Sequence, residues 1–212
     1  MIEAGTREQI TWGGGNWVFL DVGFSTKKLS SGLAIRDAQP NPMRFADAKR
    51  LIVEHVTRAN SATSLVIEAP LSVCFNKNGN PTGRRIEKET IEGKTKTRYW
   101  HAGLGCSVML AAMYLIRAIS EAAPDNRVRL FEGFVSYKDR ADSTDHCGDV
   151  ELLRQVVMDP TRFADCIVSG DDLRADPADD VVSAFKVCGL DCGVPAVIRR
   201  RAPHASDLRI VR

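Results

Sequence analysis

A chain of 212 residues with 44% hydrophobic side chains carries enough apolar material for one α/β domain with a full core. Its net charge of +2 is too near neutral to point to a polyanionic partner from the total alone. The longest apolar run, Cys106 to Ile116, falls short of the roughly 20 residues that cross a bilayer, so no membrane association is expected.

Met1 to Asn16 reads as a loose, polar lead-in without the features of a secretory signal, and Gly13-Gly-Gly15 as a flexible turn. Trp17 to Val22 is strand-like, and Gly32 to Arg36 reads as its hairpin partner. Asp37 to Pro42 breaks the chain. Phe45 to Ala59 has helical periodicity, with Leu51, Ile52, His55 and Val56 on one side. Ser64 to Glu68 is a strand of the fully buried type, ended by Pro70.

A long polar excursion follows, with turn chemistry at Asn78-Gly79-Asn80-Pro81. Leu104 to Ala123 is a helix apolar almost all round, which predicts extensive burial or a homodimer interface. Val128 to Phe134 is a strand interrupted by Glu132, and Asp149 to Met158 a short amphipathic helix. Ala164 to Val168 fits a strand or a helix start. Asp176-Pro177 has the form of a helix start, capped by the aspartate and running to Lys186 or Val187 before Gly189. Val194 to Ile198 suggests a last edge strand. The order predicts an α/β layered sheet that opens on an antiparallel hairpin.

The 6 cysteines, Cys74, Cys106, Cys147, Cys166, Cys188 and Cys192, are scattered. Reduced, mostly structural thiols in a cytoplasmic protein are the expectation. Cys188 and Cys192 are spaced too widely for the tight CxxC pair of a zinc site.

Charge clusters locally. Lys77 to Arg98 holds Lys77, Arg84, Arg85, Lys88, Lys94, Lys96 and Arg98 against Glu87, Glu89 and Glu92. The tail adds Arg199-Arg200-Arg201, Arg209 and Arg212. Both stretches suit a phosphate backbone, and a solvated loop and frayed tail fit the same charges.

Three stretches place acids where apolar patterning argues against them: Val18-Phe-Leu-Asp21-Val-Gly23, Leu65-Val-Ile-Glu68-Ala-Pro70 and Asp179-Asp180-Val-Val-Ser183-Ala184. A lone ionised carboxylate is costly to bury. Two strand-end acids and a helix-start acid therefore suggest a shared cation, with Gly23 letting the backbone approach a ligand. Hard divalent ions take carboxylate oxygens, and paired ions activate water against a phosphodiester. Asp180 is preferred over Asp179, whose side chain points roughly 100° away on a helix. Each acid also has a structural reading: a turn for Asp21, a terminal salt bridge for Glu68, the helix dipole for Asp180. Glu132 fits a fourth ligand, a substrate contact or a buried pair with an arginine. His146 and Lys138 fall in the following loop, where a histidine exchanges protons, contacts phosphate or is a bystander.

Asp21-Val-Gly23, Glu68-Ala-Pro-Leu71, Glu132 and Asp179-Asp180-Val-Val-Ser183-Ala184, in that order, resemble the predicted RNase H-like nuclease family of unknown function, related to Holliday-junction resolvases. The resemblance implies a single RNase H-like domain over residues 1–212, with a basic insertion at about 76–100. It implies a nuclease that binds Mg²⁺ or Mn²⁺ through Asp21, Glu68 and Asp180, with Glu132, Asp179 and Ser183 as further candidates. Ser183 stands where the family has an aspartate, and a hydroxyl is the poorer ligand. Arg84, Arg85, Lys94, Lys96, Arg98 and Trp100 would contact nucleic acid, Tyr99 or Trp100 by stacking. A non-catalytic nucleic-acid or protein-binding module on the same fold is the alternative. A sugar-kinase-type phosphotransferase is disfavoured, because such enzymes need a second domain and phosphate loop.

Overall fold

The computed structural model describes residues 1–11, 14–25, 27–91, 94–97, 103–136 and 145–201. In chain order, Ile2–Ala4 forms β1 and Arg7–Thr11 a short helix, α1. Asn16–Asp21 (β2), Ser31–Ile35 (β3) and Asn41–Met43 (β4) follow. Phe45–Arg58 is α2, Thr63–Glu68 β5, Ser72–Phe75 β6 and Pro81–Thr82 β7. Lys88–Ile91 (β8) and Lys94–Thr97 (β9) make a separate hairpin. Leu104–Ala122 is α3, Val128–Ser136 β10 and His146–Met158 α4. Ile167–Val168 (β11), Asp180–Ser183 (β12) and Val197–Arg201 (β13) complete the set.

β2 and β5 are buried along their whole length, because both of their faces are covered. They lie parallel, with Asp21 opposite Glu68, and β10 runs parallel on the far side of β5. β13 continues the parallel set beside β10, while β3, β4 and β11 pair antiparallel toward the edges. The order is β11-β13-β10-β5-β2-β3-β4. The fold is therefore α/β, with a mixed central sheet, a mostly parallel core and flanking helices.

Residue alternation divides the core. Val18, Leu20, Leu65, Ile67 and Leu130 meet α2 and α3 on one face. Phe19, Val66, Phe131 and Ile198 meet Ile10 of α1 and Val150, Leu153 and Val157 of α4 on the other. A smaller cluster of Cys74, Ile86, Phe134, Leu173, Val181 and Val197 fills the space around β6 and β12.

Several elements depart from the sequence reading. The lead-in is structured: β1 pairs parallel with β10, and Ile10 is fully buried. α3 exposes Leu104, Leu110 and Tyr114, so only its inner face, with Ala112, Leu115 and Ile119, enters the core. Its 19 residues are long and apolar enough to cross a membrane by length and composition alone. β13 is internal, covered by β11, and runs further into the arginines than the apolar run suggested.

The expected helix after Asp176-Pro177 does not form. Asp176 closes a single turn, accepting from Ala178 N–H at 2.8 Å, while Asp179 Oδ2 accepts from Asp176 N–H at 3.0 Å. The chain then extends as β12 against β6. Val181 and Val182 are β-branched and suit a strand once a partner edge is at hand.

Candidate functional site

Asp21 ends β2, and its side chain lies on the α4 face of the sheet, two residues beyond Phe19. α4 begins against this end of the hairpin. Gly32, opposite Asp21 on β3, makes that approach feasible, because a Cβ there would fall 2.4 Å from the carbonyl oxygen of His146. Asp145 caps α4 by accepting from Gly148 N–H at 2.8 Å. The helix therefore starts three residues earlier than its apolar pattern indicates and carries His146 and Asp149 one turn apart.

The outcome is a convergence of Asp21, His146 and Asp149. Their ligand-type atoms all lie within 4.8 Å of one another. His146 Nδ1 is 2.7 Å from Asp21 Oδ2. Asp21 is 4% exposed and Asp149 fully buried, whereas His146 is half-exposed. Asp149 also sits in the first turn of α4, where the helix dipole favours a negative charge. The neighbouring Cys147 thiol is pushed up by burial and further by Asp145 and Asp21, which keeps it a neutral thiol.

Glu68 ends β5 directly opposite Asp21 and belongs to the same sheet face. Two of the three expected acids thus meet. The third does not. Asp180 is exposed at the start of β12, opposite Phe75, about 10 Å along the strand from the Ser183 end that abuts Leu71. Asp179 is occupied in the Asp176 turn. Ser183 is buried and accepts from Phe185 N–H at 3.3 Å, capping the turn that follows β12. The acid that lies beside Asp21 instead is Asp149, with His146, whose ring contacts Asp21. The His-x-x-Asp spacing at the start of an amphipathic helix is the signal the sequence holds, masked by an apolar pattern that begins only at Asp149.

Gly23 serves the hairpin rather than a ligand, since a Cβ there would overlap the Ser30 carbonyl.

Glu132 takes the buried pairing with an arginine that was one of its sequence readings, and Arg84, expected to contact nucleic acid, is that arginine. Glu132 is opposite Ile67, not Glu68, so it points to the other side of the sheet from Asp21. There Arg84 Nη1 donates to Glu132 Oε2 at 2.8 Å and to Ser72 Oγ at 2.8 Å. Arg84 Nη2 donates to Glu87 Oε1 at 2.9 Å, and Leu71 N–H donates to Glu132 Oε2 at 2.8 Å. Arg84, Glu87 and Glu132 are all fully buried. Burial alone would lower the affinity of Arg84 for its proton, but Glu132 and Glu87 more than reverse this. Burial raises the Glu132 carboxyl above the ordinary glutamate range despite the pull of Arg84. This arginine cannot grip nucleic acid; it ties the excursion to the sheet.

Of the other expected contacts, Arg85 is exposed. Lys94 and Lys96 lie on β9, with their side chains outside the described set, and Arg98, Tyr99, Trp100 and Lys138 fall outside the described residues. Five cysteines are free thiols among the described residues, with Cys74 and Cys192 buried and pushed up to about 11 by that burial.

Comparison with protein-family models, curated proteins and solved structures gives no match to this chain.

Proposed function

We propose that the chain is a metal-dependent nuclease of RNase H-like architecture that hydrolyses phosphodiester bonds of nucleic acid. The observation that carries this reading is the meeting of Asp21, His146 and Asp149 at the carboxyl end of the parallel strands. Ligand sites of α/β sheets concentrate at that end. The strand order supports the architecture: an antiparallel hairpin, β2 and β3, opens onto the parallel β5 and β10. An acid on the opening strand, an acid ending the fourth strand of that series and an acid on a later helix fit the resemblance noted in the sequence, with Asp149 taking the place given there to Asp180.

The donor set suits a divalent cation. Two carboxylates, nearly or fully buried, offer oxygen, as Mg²⁺ and Mn²⁺ require, and the imidazole makes Mn²⁺ the better fit. When bound, such an ion would supply Lewis-acid stabilisation of the phosphodiester and a more acidic water. The protein's own contribution is to fix the donors. β2 holds Asp21 and α4 holds His146 and Asp149, Asp21 orients the His146 ring through the 2.7 Å contact, and Glu68 lies beside Asp21 on the neighbouring strand.

The test is cleavage of single-stranded and structured DNA and RNA with Mn²⁺ or Mg²⁺. At least one substrate is expected to be cut, and Asp21→Asn is expected to abolish the cut. Failure to cut any substrate with either ion overturns the nuclease. Metal binding that persists in that case leaves the binding-module alternative standing.

A further inference from the structure

The triple arginine Arg199-Arg200-Arg201, which fits a phosphate contact or a frayed tail by sequence, forms the last three residues of β13 within the parallel set. The register ties this strand to the acidic site. Asp21 is opposite Glu68, Glu68 opposite Gly133, and Gly133 opposite Ile198. The arginines therefore follow Ile198 at the same carboxyl end that carries Asp21, three strand spacings across, or about 14 Å.

More positive charge collects at this corner. β11 pairs antiparallel with β13, which brings the segment before Ile167 back toward the arginine end. There the Arg200 guanidinium lies 4.5 Å from the Phe163 ring centroid and that of Arg162 lies 5.2 Å from it. Arg7 Nη2 donates to Ala164 O at 3.4 Å. Arg162 is exposed, while Arg7 and Arg200 are half-buried; Arg200 shares the α4 face with Asp21, whereas the alternation of the strand turns Arg199 to the other face. Glu8, Asp159 and Asp165 are the acids near these arginines in sequence. One end of the sheet thus presents carboxylates over β2 and β5 and guanidinium groups over β13. A planar guanidinium suits phosphate oxygens, and Phe163 restricts the motion of two of them.

We propose that Arg200, Arg162 and Arg7 form a rim that binds the phosphate backbone of a single nucleic-acid strand passing over the carboxyl ends of β5 and β10 to the Asp21 site. The span from β13 to β2 is that of a few nucleotides, which favours a strand over a lone phosphate. The inference takes its direction from the proposed nuclease site, but the binding it describes needs no cleavage.

The experiment measures binding of fluorescent 12-nucleotide DNA and RNA strands in EDTA, across salt concentrations, with cleavage assayed separately in Mn²⁺. The double variant Arg7→Gln/Arg162→Gln changes a half-buried and an exposed position outside the core and is expected to fold, as circular dichroism would check. Losing two phosphate contacts should reduce the slope of log affinity against log salt by about 1.4 and weaken binding several-fold at low salt. Arg200→Gln should add to that loss. An unchanged slope and affinity in the double variant overturns the rim, as does a wild-type protein that binds neither strand. Binding that depends on the arginines without any cleavage sinks the nuclease and keeps the rim. Cleavage with arginine-independent binding does the reverse. The DNA and RNA arms decide which sugar the rim accepts.

Discussion

Two buried acid clusters sit on opposite faces of one sheet and solve the same problem differently. On the α2–α3 side, Glu132 and Glu87 receive a built-in cation, Arg84, whose guanidinium also reaches Ser72. On the α4 side, Asp21 and Asp149 converge with a half-exposed histidine. The first cluster is closed to solvent and holds a long excursion onto the sheet. The second opens at His146 and lies where parallel strands end. Acids closed around a built-in arginine make a structural staple, whereas acids and a histidine that open to solvent are the arrangement on which the proposed exchangeable cation rests.

The comparison breaks first at Arg84. Arg84→Met leaves Glu132 and Glu87 buried with no positive partner and should destabilise the fold by about 3–5 kcal/mol. Urea or thermal unfolding measures this. A variant as stable as the wild type would show that the network holds nothing together.

The second effect belongs to the other face. Mn²⁺ at 100 times its dissociation constant should stabilise the wild-type protein by about 2.7 kcal/mol, a rise of roughly 5–10 °C in Tm. Asp21→Asn and Asp149→Asn should lose that rise while keeping metal-free Tm values within a few degrees of wild type. If either variant keeps the full Mn²⁺ effect, Asp21 and Asp149 are not the ligands.

His146→Gln sharpens the contrast more gently. Removing the nitrogen donor should weaken Mn²⁺ by about tenfold and reduce the preference for Mn²⁺ over Mg²⁺, since carboxylates serve both ions. Calorimetric titration of each ion reads the ratio, and an unaltered ratio removes His146 from the set.

The smallest effect is a pH slope at the staple. Because burial raises the Glu132 carboxyl, the folded protein retains a proton there that the unfolded chain has released. Stability from this group is full below the ordinary value of 4.5 and falls as pH climbs from there through the raised folded value. The slope is at most about 1.4 kcal/mol per pH unit. Glu132→Gln should flatten that part of the profile; the same slope in the variant would assign it to another group.

Much of the frame was legible in the chain. Asn16–Asp21 and Ser31–Ile35, Phe45–Arg58, Thr63–Glu68 and Leu104–Ala122 each carry a long periodic pattern or an apolar run that leaves few alternatives. β1 and β12 were not legible, because three or four residues hold too little pattern and depend on a partner strand. Asp176-Pro177 is a sound helix start by local chemistry, yet pairing with β6 outweighed it.

For the site, Asp21 and Glu68 were readable as acids that interrupt apolar strands, and the parallel register places them side by side. Glu132 carried the same signal and meant something else, since a shift of one residue in register turns a side chain to the opposite face.

By itself, then, the sequence determined that Asp21, Glu68 and Glu132 interrupt buried strands and that burial would demand compensation, because apolar patterning is a local property of the chain. Only the tertiary structure decided what compensates each one. Arg84 reaches Glu132 across 48 residues, and His146 reaches Asp21 across 125. Contacts of that range depend on strand order and helix docking, which bring together groups that no local pattern relates.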